Sequence, residues 1–357
     1  MDTEKRGCLG EGAMTAALLG LSAIIMVILL SMAFVFAGEL LTLASVERVD
    51  EDAALFTMEY KGDYGLDEFL QTGASNDAGL VDFIVCRVLK GVPLEFDLPE
   101  LGCSTFAARL KDGTPVFGRN FDMYDSPAML VTTRPKNGYD SISMVNLAYI
   151  GYDAQHLPES FWDRILTLAA PYVPLDGVNE KGLSVGVLML DTESTDQQTE
   201  KVDVTTTSAI RMLLDRAATV DEAVALLESV DMHASAGSCY HFHIADAQGD
   251  SVVVEYIGNE MKVIDSRMAS NFLLAPGDWK FGRGHDRFMT MQSTLSQNEG
   301  VFEDTEDAMS LLEAVSQKPR QGKRSTTQWS CVYDQRNMGM EIAMDMDYGT
   351  VYAFSLN

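Results

Sequence analysis

Asp112-Gly113, set between the apolar runs Thr105 to Leu110 and Pro115 to Asn120, restricts what this chain can become more than any other feature. Both residues tolerate the positive φ of a two-residue hairpin loop, so the flanking runs are expected to pair as antiparallel strands. With that loop the numbers of facing residues sum to 225, which sets Cys103 opposite Asp122 and Phe106 opposite Arg119. A thiol, a carboxylate and a guanidinium are thereby brought to one end of a hairpin. Side chains alternate across a strand, so this register puts Asp122 on the face of Cys103 and Arg119 on the other. A bulge or a strand end must turn Arg119 inward if it is to act; otherwise it pairs with a surface carboxylate.

Further strands are expected at Leu183 to Leu190, after the turn-rich Asp176-Gly177-Val178-Asn179-Glu180-Lys181-Gly182, and at Tyr240 to Ala245, Ser251 to Tyr256, Met261 to Ile264 and Ala269 to Leu274. Three more close the chain at Gln328 to Tyr333, Met338 to Asp345 and Thr350 to Ser355. Apolar residues at helical spacing predict helices over Ser208 to Ala218, Val220 to Val230, His285 to Leu295 and Thr305 to Ser316. Strands, helices, strands, helices, strands is the order of an α+β layered fold, not of an alternating parallel sheet.

Acidic residues outnumber basic ones 53 to 26, a formal charge of −27 that would repel a phosphate backbone and argues against nucleic acid as a partner. The five cysteines, at 8, 86, 103, 239 and 331, include no CxxC pair and are too scattered for a disulfide scaffold. An odd count leaves at least one free thiol. Outside a cell, Cys86 is expected to bridge to Cys331 or Cys239. Cys239, His241 and His243 alternate on one strand face, a spacing that suits a metal; with no fourth ligand in view, a packed strand face is preferred.

Gly12 to Gly38 carries no charge and is rich in Leu, Ile, Val and Phe, long enough for the about 20 apolar residues that span a bilayer as a helix. Lys5 and Arg6 before it, and Glu39 and Glu47 after it, place the N-terminus in the cytoplasm and the body outside. Val35-Phe36-Ala37 also resembles a signal-peptidase site, so secretion after a cut near Ala37 is the alternative to a retained anchor. Three regions follow: residues 1–38 as tip and anchor, 39–102 as an acidic propeptide or small subunit too small to hold a sizeable core, and 103–357 as the main domain.

The segment from Cys103 through Phe106, Asp112-Gly113, Gly118-Arg119-Asn120 and Asp122 resembles the mature N-terminus of the choloylglycine hydrolase family, the linear amide C–N hydrolases. That family includes conjugated bile salt hydrolases and penicillin V acylases and, more distantly, acid ceramidase and N-acylethanolamine amidase. The resemblance runs on through Asp176 to Leu183, Ala269-Ser270-Asn271, His285-Asp286-Arg287-Phe288 and Trp329-Ser330-Cys331-Val332-Tyr333.

It implies a four-layer αββα N-terminal-nucleophile fold that needs no cofactor and no metal. Cys103 would supply a nucleophilic sulfur and, once freed, an α-amino base whose unperturbed pKa is about 8. Asp122 would orient that amine, and Arg119 would favour the thiolate. Asn271 would donate its side-chain amide to the oxyanion, and Arg287 would complete the polar network. Two departures stand out. Met189 occupies the place of an asparagine in bile salt hydrolases and a tyrosine in penicillin V acylases, and a thioether cannot donate, so a backbone N–H is expected as second oxyanion donor. Cys103 also lies far inside the chain, which requires a cut after Gly102, expected to be made by Cys103 itself.

The leading expectation is therefore hydrolysis of linear N-acyl amides, such as fatty acyl amides, N-acylethanolamines or N-acyl amino acids, with an amphiphilic substrate taken at a membrane. Bile salt or penicillin V hydrolysis, acyl transfer, and a non-catalytic membrane-anchored binding protein are the alternatives, and a homo-oligomer is left open.

Overall fold

Gly102–Leu110 and Pro115–Met123 pair as an antiparallel hairpin, one residue away from the expected register. The loop has three residues, Lys111-Asp112-Gly113, because Leu110 and Thr114 pair through a 2.8 Å N–H to O bond. Gly113 sits at φ +83 and its N–H returns to the Leu110 carbonyl. A turn closed by one left-handed glycine is the other common solution for an Asp-Gly loop. Facing residues now sum to 224, which pairs Cys103 with Phe121, Thr105 with Arg119 and Gly102 with Asp122. A one-residue slip exchanges faces. Arg119 thus shares the face of Cys103 with no bulge in the hairpin, and Asp122 lies on the opposite face, the reverse of the expected assignment.

This computed structural model describes every residue except 1–13, 15, 17, 28–30, 32–33, 50–53, 97–101, 278–281, 320–324 and 357. The hairpin is central to one sheet, whose spatial order is Met268–Ala269, Gly102–Leu110, Pro115–Met123, Thr326–Asp334, Gly339–Met344 and Val351–Ser355, with Val301–Phe302 added in parallel to Gly102–Leu110. A second sheet of nine strands runs Glu47–Arg48, Leu55–Tyr60, Ala128–Thr133, Ser141–Asn146, Pro174–Asn179, Ser184–Leu190, Cys239–Ala245, Ser251–Ile257 and Glu260–Asp265. The sheets meet face to face: a side chain at Gly186 of the second would touch Thr105 and Phe117 of the first at 3.2 and 3.3 Å. Phe117, Phe121 and Trp329 share one buried core with Val187, Leu188 and Met189.

Helices close both outer faces. Thr206–Arg216 and Val220–Glu228 pack on the nine-stranded sheet, and His285–Gln297 and Thr305–Ala314 cover the hairpin sheet, burying Met291, Leu295, Met309 and Leu312 against Phe106 and Val116. All four helices fall where apolar periodicity places them, and the mixed layered architecture follows.

Two expectations about strands need correction. Asp176 to Asn179 is no turn but part of the buried strand Pro174–Asn179. Its polar side chains mimic turn composition yet are satisfied internally, Asn179 by donating to the Leu214 and Ala217 carbonyls. Ala269 to Leu274 pairs only over Met268–Ala269, after which the chain turns away toward the site.

The 39–102 segment is built into the sheet. Leu55–Tyr60 runs parallel to Ala128–Thr133, and Phe56, Met58, Phe69, Leu80 and Ile84 are buried in the common core. The expected disulfide is absent: Cys86 is free and exposed, and Cys239 and Cys331 are free and buried. Among the described residues no helix is long and apolar enough to cross a membrane. The expected span, Gly12 to Gly38, falls partly outside the described residues; of it, residues 18–27 are helical, with Leu18, Leu19, Ile24 and Val27 exposed.

Candidate active site

Cys103, Arg119, Asp122, Asn271 and Arg287 lie together around the start of the hairpin. The Cys103 N–H donates to Asn271 Oδ1 at 2.7 Å, and Ser270 Oγ donates to the Cys103 carbonyl at 3.3 Å. Arg287 Nη2 donates to the same Asn271 oxygen at 2.9 Å and its Nη1 to Asp122 Oδ2 at 2.5 Å. Two N–H groups converging on one atom require it to be the amide oxygen. The Asn271 nitrogen points the other way and donates to the Met189 carbonyl at 2.9 Å. In the uncut chain, then, Asn271 shows Cys103 its acceptor, where the donor was expected.

Asp122 is fully buried and held from two sides, by Arg287 and by Thr327 Oγ1, which donates to Oδ1 at 2.5 Å. Thr327 faces Asp122 across the neighbouring strand, and a bulge between Thr327 and Trp329 lets Trp329 face Phe121 on the opposite side of the sheet. There the two rings stack at 4.0 Å. Without the bulge, strand alternation would put Thr327 and Trp329 on one face.

Arg119, with no exposed surface, sends Nε to Asp176 Oδ2 at 3.3 Å. Trp329 Nε1 donates to the same oxygen at 3.3 Å, and the Tyr333 hydroxyl donates to the other. Both terminal nitrogens of Arg119 are buried with no hydrogen-bond partner. Burial pulls the guanidinium pKa down, but Cys103, Asp176 and Asp122 outweigh it, so the side chain stays charged. Burial also pushes the Cys103 thiol up; Arg119 and Arg287 and a hydrogen bond from the Asp122 backbone pull the other way. A buried thiol facing a permanent cation is an arrangement that stabilises a thiolate once a base can take the proton.

Three buried side chains escape a reading of the sequence. Asp176 looks like part of a turn, and Thr327 acts only through a bulge. Tyr149 is the third: it is fully buried, its hydroxyl has no partner, and burial, then Tyr240 and Cys103, hold its pKa well above the ordinary phenol value. It therefore keeps its O–H. Nothing local in Leu147–Ile150 marks it, since its position depends on the packing of the two sheets. Of the alternating trio, His241 Nδ1 lies 3.1 Å from Glu255, His243 bonds Thr105 and Ser251, and Cys239 lies beside Thr195, so each side chain meets its own partners.

Gly102 explains itself sterically. A Cβ there would lie 3.0 Å from Asp122 Oδ2 and 3.2 Å from Gln317 Oε1, so glycine keeps room beside the carboxylate.

Residues 103–272 match the family model of linear amide C–N hydrolases, choloylglycine hydrolase family. No curated protein matches the chain. Among solved structures it is similar to a variant of the conjugated bile acid hydrolase from Clostridium perfringens, at 17% identity over 71% of this chain and 92% of that one, TM-score 0.53. It is also similar to penicillin V acylase from Agrobacterium tumefaciens, at 17% identity over 71% and 86%, TM-score 0.50. At that identity the structures show a shared fold.

Proposed function

We propose that this chain, whose residues 103–272 match the family model of linear amide C–N hydrolases, cuts itself between Gly102 and Cys103 and then hydrolyses linear N-acyl amides through a Cys103 thioester. The observation that carries this reading is the convergence of Asn271, Arg287, Asp122 and Arg119 on the backbone and side chain of one cysteine.

In the first reaction the Cys103 sulfur attacks the Gly102 carbonyl carbon, the peptide nitrogen leaves as the Cys103 amine, and water hydrolyses the resulting thioester to a Gly102 carboxylate. The Asn271 oxygen already accepts from that nitrogen, and Asp122 flanks Gly102 across the hairpin. In the second, the free amine takes the thiol proton while the sulfur attacks the substrate carbonyl. The ammonium then passes its proton to the leaving amine. Water releases the acyl group as a carboxylic acid and restores the thiol. The developing oxyanion takes the Tyr149 hydroxyl, buried without a partner, as a donor in the role left open by Met189. Asn271, whose nitrogen is held by the Met189 carbonyl in the uncut chain, becomes a donor only by turning its amide once the Cys103 N–H is an amine. Arg119, held by Asp176, keeps a fixed positive charge at the sulfur.

The acyl group is hydrophobic and the catalytic body lies outside the cell, tethered by the uncharged run Gly12 to Gly38, so substrates are amphiphilic amides drawn from a membrane. Incubating the cut protein with fatty acyl, bile acid and phenoxyacetyl amides tests the reading. Release of fatty acid is expected to be fastest. Preference for a bile acid amide would overturn the substrate class, and no hydrolysis of any of the three would overturn the amidase.

A further inference from the structure

The sequence places no metal ligand outside the Cys239 strand, yet three side chains assemble elsewhere. Val202–Thr205 and Val230–His233 pair in parallel and bring Asp203, Asp231 and His233 together, with one ligand atom of each within 4.8 Å of the others. His233 Nε2 lies 3.0 Å from Asp203 Oδ1 and 3.6 Å from Asp231 Oδ1. Its other ring nitrogen, Nδ1, is 2.7 Å from Asp196 Oδ1. A carboxylate on the far nitrogen is the usual means of fixing a metal-binding imidazole in the tautomer that offers its lone pair.

Asp231 supplies the independent evidence. It is 1% exposed, and while Oδ2 accepts from the Thr199 N–H, Oδ1 is buried with no hydrogen-bond partner. A second proton on His233 would satisfy Asp203 but leave this oxygen beyond hydrogen-bond reach. A buried carboxylate oxygen with nothing to bind is costly, and a cation between the three atoms removes the cost. Donors each 2.0–2.2 Å from a tetrahedral ion lie roughly 3.3–3.6 Å apart, close to the 3.0 and 3.6 Å separations seen. One imidazole and two carboxylates suit zinc better than calcium, which takes oxygen alone.

We propose that Asp203, Asp231 and His233 bind a zinc ion at the seam between the 39–102 segment and the main body. Ala74 N–H donates to the Asp203 carbonyl at 3.0 Å, Ala236 N–H donates to Asp77 Oδ2 at 2.6 Å, and Ser75, Asn76 and Asp77 line the same cavity of about 860 Å³. Zinc there stiffens the strand on which residues 73–77 rest. The site is far in sequence from Cys103, and its occupancy does not depend on the reaction proposed above.

The test is equilibrium dialysis of the full chain, stripped with a chelator and returned to Zn²⁺, with bound metal read by elemental analysis. Wild type takes up one zinc per chain; His233→Gln and Asp203→Asn weaken uptake at least about 100-fold, more than loss of a supporting partner would. Asp203 is partly exposed, so its asparagine variant keeps the fold. Zinc also slows amide hydrogen exchange over 73–77 and 199–203 in wild type and not in His233→Gln. No uptake by wild type, or equal uptake by both variants, overturns the site.

Discussion

Cys103 is a buried thiol, and under the proposed function it meets two different amides, for which the residues around it have separate parts. Gly102 belongs to the first alone. In Gly102→Ala the new methyl meets Asp122 Oδ2 and Gln317 at 3.0 and 3.2 Å, displacing the bond to be cut; conversion of precursor, followed on a denaturing gel, is expected to slow about tenfold or more. The alanine leaves with the upstream fragment, so the kcat of material that has been cut stays at the wild-type value. Tyr149 belongs to the second. Tyr149→Phe removes one O–H from a site with few donors, and kcat is expected to fall by about 10²–10³ with little change in KM. An unchanged kcat would return the second donor to a backbone N–H.

The hairpin shows what could and could not be seen at the level of elements. Its existence was plain from Asp112-Gly113, but two- and three-residue loops share that dipeptide, and the choice between them decides which face each side chain takes. The four helices were legible because their apolar period is local. Ala128–Thr133, Ser141–Asn146 and Pro174–Asn179 were not, since a strand buried on both faces loses its alternation; Leu55–Tyr60 does alternate, with Thr57 and Glu59 turned outward, but is a single short run in an acidic stretch. The segment upstream of Cys103 holds the strand Leu55–Tyr60 inside the nine-stranded sheet and joins the common core, and Cys86, Cys239 and Cys331 are all free. After cutting, the two fragments are expected to co-elute on a native column and to separate on a denaturing gel without reductant. Separation that needs reductant would restore the disulfide; separation on the native column would contradict the shared core.

At the scale of the whole molecule, the site residues were found together from a resemblance running from Cys103 to Tyr333, because a constellation spread over six elements leaves a sequence trace that no single element carries. What binds them is burial, and burial has a pH signature. His243, packed between the sheets on Thr105 and Ser251, is pushed down to about 3 by burial, with His241 and Arg119 adding to the effect. Above pH of about 6.5 it is neutral in both folded and unfolded chains and costs nothing. As pH falls the unfolded state takes the proton first, so stability declines progressively down to about pH 3. Asp345, raised to about 6 by burial, works in the opposite direction, so the comparison is made at one residue: the urea midpoint of His243→Gln is expected to fall less steeply than that of wild type between those limits.

The central claim is that one cysteine opens its own chain and then carries the acyl group, and intact-mass spectrometry addresses both halves in a single sample. Wild-type protein given a slowly hydrolysed N-acyl amide should yield a large fragment beginning at Cys103, heavier by one acyl group on that residue, while Cys103→Ala remains a single unmodified chain. A Cys103→Ala chain that is cut at the same bond, or an acyl group found on any other residue of the wild type, would contradict the account.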